Sequence, residues 1–202
     1  MSAREMAKAA AHILATIAIT PALTSFWIRS AFVGRDRAIE GSTQALALLP
    51  GIAGQYLRRA FLCRTLAGCH RTATIEFGTI FSSADSTLDE NVYIGPRCHV
   101  GLVHLERDVL VAAAVHLPSG PQTHGIADLR TPIREQPRTK RLVRIGAGSW
   151  IGEAAVVMTD VGADTIVGAG AVVTRPLPPL VVAAGVPARV LRSRAIADRR
   201  AV

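Results

Sequence analysis

Residues 143–173 read VRIGAGSWIGEAAVVMTDVGADTIVGAGAVV, and this stretch decides the fold. Ile145, Ile151 and Val157 stand six residues apart, and so do Val161, Val167 and Val173. Gly146, Gly152, Gly162 and Gly168 each follow one of these aliphatic residues directly. Toward the N-terminus the same beat carries Leu88, Ile94 and Val100, then Leu105, Val111 and Leu117, with Gly95 and Gly101 in the same place. A helix repeats every 3.6 residues and a strand every 2, and neither puts glycine on this beat. A hexapeptide repeat does, and it predicts an all-β solenoid of parallel strands. Three hexads close one triangular turn, so the blocks predict four turns, with Ile75 and Phe81 in a less regular turn before them. The register slips by one residue between Val100 and Leu105 and by two between Val157 and Val161, slips that corners can absorb.

Composition agrees with narrow coils. Half of the 202 residues are hydrophobic but only 4% are aromatic, which suits a core of Val, Ile, Leu and Ala. The net charge of +8 comes almost wholly from arginine, with Lys8 and Lys140 the only lysines. Arginine favours planar, bidentate contacts to phosphate and carboxylate. The arginines are scattered and no aromatic platform accompanies them, so no nucleic-acid partner is expected. Three cysteines, Cys63, Cys69 and Cys98, lack metal-ligand spacing and point to a reducing compartment without a disulfide framework.

Four regions separate along the chain. Residues 1–33 are apolar, and Ala9 to Ile28 contain no Asp, Glu, Lys or Arg. That length just suffices to span a bilayer as a helix, although His12, Pro21 and several threonines weaken the pattern. The readings are a membrane-anchoring helix, an interfacial helix, and an arm packed on the solenoid. Arg29, Arg35 and Arg37 outweigh Arg4 and Lys8 on the other flank, which would leave the rest of the chain in the cytoplasm, at the cytoplasmic face of the inner membrane if the segment is an anchor. Residues 34–70 form a bridge broken at Pro50-Gly51, with an amphipathic helix over Gln55–Leu66 that either lies on an anionic membrane surface or caps the first coil. Residues 71–175 carry the repeat, interrupted at 118–142 by a polar loop. Loops of this length inside a compact repeat are more often functional than idle. Residues 176–202 begin with Pro176, Pro178 and Pro179, which should end strand pairing. Gly185-Val186-Pro187-Ala188-Arg189 then leads to a basic tail expected to form a short helix.

Residues 143–192 resemble the C-terminal half of the hexapeptide-repeat acetyltransferases, in the subgroup of maltose, galactoside and capsule-sugar O-acetyltransferases. The resemblance rests on Trp150-Ile151-Gly152, Gly168-Ala169-Gly170, Val172-Val173-Thr174-Arg175 and Ala184-Gly185-Val186-Pro187-Ala188-Arg189 taken as a set. It extends over roughly residues 70–192 and leaves residues 1–70 uncovered. It implies a left-handed parallel β-helix, a homotrimer, and acetyl-CoA bound as co-substrate in clefts between neighbouring subunits. It also argues against a cleaved signal peptide, since the acyl donor is cytosolic.

Acetyl transfer to an alcohol needs a base for the hydroxyl proton and donors for the oxyanion. His124, in the long loop, matches the family's catalytic histidine, and an imidazole titrates near neutrality. Asp128 and Glu135 are the candidates to orient its ring. His116 is the rival base and a candidate pocket wall beside Trp150. For CoA the resemblance carries over Ala169, Thr174, Arg175, Arg192 and, less closely, Glu153, which stands where the family has a small residue. Arg175 and Arg192 would suit the nucleotide phosphates. The family's acceptor-binding polar residues have no match here, because Gly101-Leu102-Val103-His104 is apolar. A lipid-linked or polymeric glycan therefore becomes an attractive acceptor, in cell-surface polysaccharide modification. No metal is expected. The alternatives are an N-acetyltransferase on an amino sugar or antibiotic, a γ-type zinc carbonic anhydrase using His99, His104 and His70, and an inactive scaffold.

Overall fold

A computed structural model describes residues 13–194. Residues 13–18 are helical and lead into α1 (Thr20–Val33), α2 (Arg35–Ala47) and α3 (Gly51–Thr65). A parallel β-helix of about six turns follows, with three sheets as its walls. The first wall stacks β1 (Gly68–Cys69), β4 (Thr87–Leu88), β7 (Val103–Leu105) and β10 (Val143–Ile145). The second stacks β2 (Thr74–Ile75), β5 (Tyr93–Ile94), β8 (Leu110–Val111), β11 (Trp150–Ile151), β13 (Ile166–Val167) and β15 (Val181–Ala184), and ends on β16 (Arg189–Ser193). The third stacks β3 (Ile80–Phe81), β6 (His99–Val100), β9 (His116–Leu117), β12 (Val156–Val157) and β14 (Val172–Val173).

The six-residue beat is the core. Ladder register places Ile94 opposite Val111, Val111 opposite Ile151 and Ile151 opposite Val167, all fully buried. On the third wall Phe81, Val100 and Leu117 stack in the same way. The glycine that follows six of these beat residues has a steric cause. A Cβ on Gly146 would sit 2.4 Å from the Ala163 backbone nitrogen, so the neighbouring coil approaches too closely for any side chain. The coil turns at left-handed residues three positions after the beat, among them Arg97, Ala114 and Ala154. The beat marks these corners only by position, because the residues standing there are chemically mixed.

Two expectations for the C-terminal region are corrected. Pro176, Pro178 and Pro179 do not end the pairing: Leu177 bridges Val161, and β15 pairs in parallel with β13. Pro178 and Pro179 lie on the corner before Val181, where no ladder N–H is needed, and the Pro178 carbonyl accepts from Thr165 Oγ1 at 2.8 Å. The expected short helix after Arg189 is instead β16, antiparallel to β15. Gly185, at φ +98°, begins the turn that sends the chain back along the edge of β15. Residues 195–202 of the tail lie outside the described residues.

The helices cover the open first coil. Phe26 of α1 meets Phe61 of α3 edge to face at 5.7 Å. Arg58, buried on α3, donates to the carbonyls of Ile75, Leu46 and Leu49 and so ties helix, coil and interhelical turn together. Thr43 of α2 exchanges hydrogen bonds with the Phe81 backbone. The amphipathic helix of the 34–70 bridge, α3, packs on β1 and β2 of the first coil. Among the described residues no helix is long and apolar enough to cross a membrane; Ala9–His12 of the candidate span lie outside them.

Candidate functional site

The loop expected over 118–142 leaves the corner between the third and first walls and has its own structure. Its neck closes where the Arg141 N–H donates to the Ser119 carbonyl at 2.9 Å. Gln136 is buried at its centre, donating to the carbonyls of Asp128 and Thr131 at 2.7 and 2.9 Å. The Gly125 N–H donates across the loop to the Pro137 carbonyl at 2.8 Å, which fixes the residue beside His124. Lys140 pairs with Asp36 of α2 and holds the loop against the helical layer.

His124 lines a cavity of about 500 Å³ enclosed by this loop, α2 and the third wall. The loop contributes Thr123, Arg138 and Lys140, and the wall contributes Ser82 and His99. From α2 come Asp36, Arg37 and Glu40, which the sequence reading did not assign to a site. Their signal was present as spacing, since residues four apart share one helix face. They lie outside the repeat, however, and the beat says nothing about them. His124 is half-buried, and its Nδ1 is buried with no hydrogen-bond partner among the described residues.

Neither carboxylate expected to orient His124 does so. Asp128 accepts from the Arg130 N–H and from Thr131 Oγ1, which hold its carboxyl below the usual range within its own exposed turn. Glu135 is exposed and pairs with the adjacent Arg134. The carboxylates facing the cavity are Asp36 and Glu40 instead. Burial alone would raise the Asp36 pKa, but Lys140, the Ala84 N–H and Ser83 together hold it low. His99 is pushed below its ordinary 6.5, first by burial and then by the neighbouring His116, with Glu40 opposing. His116 does point outward, with its ring 6.4 Å from that of His99, but it lines neither this cavity nor the one beside Trp150.

A second hollow of about 810 Å³ lies on the outer face of the second wall and its corner with the third. Tyr93, Leu110, Trp150 and Ile166 form its apolar floor, and Gly152, Glu153, Gly168 and Ala169 its rim. Trp150, Glu153 and Ala169 thus line one hollow. Thr174 and Arg175 follow β14 and stand, exposed, at the other edge of the third wall. Arg192 sits on β16 opposite Val182, at the end of the second wall. Within one chain the expected CoA residues therefore divide between edges, and the hollow shares no lining residue with the His124 cavity.

The histidines considered for zinc are placed apart. His99 is on the third wall and His104 on the first. His104 Nδ1 faces the Arg144 guanidinium at 3.3 Å and Nε2 faces Asp89 at 3.0 Å. Arginine only donates and an ionised carboxylate only accepts, so both ring nitrogens are committed. His70 Nδ1 is bonded to Thr72. Among the described residues no three metal-type side chains gather.

No protein-family model matches the sequence. The chain is 48% identical over 52 residues to galactoside O-acetyltransferase of Escherichia coli, a stretch covering 25% of this chain and 26% of that protein. A probable acetyltransferase of Mycobacterium tuberculosis is 37% identical over 73 residues, 35% of this chain and 24% of that one. The matches thus span about a quarter of the length of each curated relative. Among solved structures, a galactoside acetyltransferase in complex with coenzyme A superimposes with a TM-score of 0.65 at 24% identity, over 81% of this chain and 83% of that one. A maltose O-acetyltransferase from Clostridium difficile 630 gives 0.63 at 20% identity, over 78% and 87%. The fold is therefore a left-handed parallel β-helix. Over the matched stretches the chain is similar in sequence to proteins named as acetyltransferases.

Proposed function

We propose that the protein is an acetyl-CoA-dependent O-acetyltransferase acting on a hydroxyl of a sugar or glycan, with His124 as general base. The observation that carries this reading is the half-buried His124 ring in a polar cavity, held by a loop that interrupts an otherwise regular coil. The imidazole takes the proton as the acceptor oxygen attacks the thioester carbonyl. Backbone N–H groups at a coil corner stabilise the oxyanion. Collapse expels the CoA thiolate, which takes up the proton that His124 holds. His124→Ala should lower acetyl transfer from labelled acetyl-CoA to glycan acceptors by about 10²- to 10⁴-fold without altering the assembly. Unchanged transfer would reject His124 as the base, and transfer only to amino sugars would replace the hydroxyl acceptor by an amine.

The separation of the His124 cavity from the Trp150–Ala169 hollow supports a homotrimer in which one copy's loop meets the next copy's groove. In this reading the groove takes the pantetheine arm, with Ala169 and Glu153 on its rim. Arg175 and Arg192 meet the nucleotide phosphates.

The acceptor is proposed to be lipid-linked or polymeric, handled at the cytoplasmic face of a membrane. Leu14, Ile17, Ile28 and Phe32 form an outward stripe along residues 13–33, with Phe32 83% exposed. The opposite face, with Ala15, Ile19 and Phe26, is buried against the other helices. Arg29, the only charged residue between residues 13 and 33, is turned inward onto Ser42 at 2.6 Å. A helix that is apolar on both faces and a basic chain suit an anionic bilayer interface. The full chain should float with anionic phospholipid vesicles, and Ile28→Glu with Phe32→Glu should abolish this. Flotation unaffected by the double change would contradict the stripe as the contact, and a chain that never floats would contradict the membrane reading.

A further inference from the structure

Cys63 and Cys69 belong to neither cavity of the proposed acetyl-transfer site. Leu66 leaves the helical conformation at the end of α3, and the chain doubles back into β1. The reversal brings the two sulfurs to 3.4 Å, both free thiols and both half-buried. A hollow of about 630 Å³ opens beside Cys63. Arg59, Arg64 and Arg71 line it, with Ile13 and Ile17 as an apolar wall. Two of these guanidiniums are positioned by other contacts: Arg59 lies 4.6 Å over the Tyr56 ring, and Arg64 donates to Thr16 Oγ1 at 3.1 Å.

We propose that Cys63 and Cys69 are a reversible dithiol–disulfide site whose oxidant is a carboxylate-bearing low-molecular-weight disulfide, drawn in by the three arginines. Thiol–disulfide exchange needs a thiolate as attacker, access, and a second thiol close enough to resolve the adduct. The hydrogen bond from Cys69 pulls the Cys63 pKa down; burial opposes this, and the charges of Arg59 and Arg64 reinforce it. The same pairing, with burial, pushes Cys69 up, so Cys63 is the attacker and Cys69 the resolver. Cys98 is buried inside the coil, with its thiol pushed up to about 11 by burial, and takes no part.

The Cys63 thiolate attacks one sulfur of the ligand disulfide. A protein–ligand S–S bond forms, the ligand S–S bond breaks, and one ligand thiolate leaves with the electron pair. Cys69 gives its proton to solvent and its thiolate attacks the Cys63 sulfur, releasing the second ligand thiolate. Both ligand thiolates take protons from solvent. The two protein thiols are oxidised and the ligand disulfide is reduced to two thiols. The bond staples α3 to β1, and with them the helical cap to the first coil.

The test uses the full chain and oxidised glutathione at neutral pH, followed by thiol counting and peptide mapping. Two thiols per chain should disappear into a Cys63–Cys69 link, and a reducing thiol should restore them. Cys69→Ser should stop at a glutathione adduct on Cys63, and Cys63→Ser should leave Cys69 unmodified. Arg71→Ala should slow oxidised glutathione about fivefold while leaving the neutral bis(2-hydroxyethyl) disulfide unaffected. Persistent glutathione on the wild type, a link between chains, equal reaction of Cys98, or no reaction would overturn the site. An equal effect of Arg71→Ala on both reagents would overturn the anionic oxidant. None of these readouts depends on acetyl transfer.

Discussion

His99 and His124 show how differently one imidazole type can be used. His124 is on a loop that lines a cavity with charged walls, and its Nδ1 is buried with no hydrogen-bond partner among the described residues. His99 is fixed on β6, and its pKa is lowered by burial and by His116. An unfolded chain therefore binds a proton at His99 at a higher pH than the native one does. Stability from this residue is complete above the unfolded value of 6.5 and is lost as pH falls from there through the lower native value. Denaturant unfolding between pH 7 and 5 should show a weaker acid dependence for His99→Gln than for wild type. An identical dependence in both would remove His99 as a source. His124 stood out as a candidate in the sequence because it lies where the beat stops and matches the histidine of the family that the chain resembles. Its carboxylate neighbours were not, because Asp128 and Glu135 are close in sequence but spent locally, whereas Asp36 and Glu40 reach the cavity only through packing of α2.

The coil is the most legible element, since beat and glycine each report one physical constraint. Aliphatic residues fill the axis, and glycine allows the close approach of the next turn. Gly146→Ala tests the second, because its Cβ would meet the Ala163 nitrogen at 2.4 Å. The change should destabilise the fold by about 2 kcal/mol, read as a lower midpoint in denaturant. A neutral result would mean that the coils can separate there without cost. The prolines misled because their effect depends on position: in a ladder they remove a donor, but on a corner they leave the next strand free to pair. The tail misled because an open strand edge at β15 recruits it, a tertiary effect that local pattern does not carry.

At the level of the whole molecule, the chain carries two separate hollows that the proposed function treats as half-sites. The His124 cavity opens at the corner of the third and first walls, and the Trp150–Ala169 groove at the corner of the second and third. Neither supplies both a base and an apolar channel for a long thioester. The proposed homotrimer would resolve this, because a head-to-tail interface joins different patches of neighbouring chains. The measurement that bears most directly on the account is complementation between two disabled variants. His124→Ala removes the proposed base, and Ala169→Trp fills the groove. Each alone should show almost no acetyl transfer from acetyl-CoA. Mixed assemblies formed by co-expression should regain about a quarter of wild-type activity, since random mixing pairs an intact loop with an intact groove at about a quarter of interfaces. Mixed assemblies as inactive as the separate variants would contradict a site shared between copies.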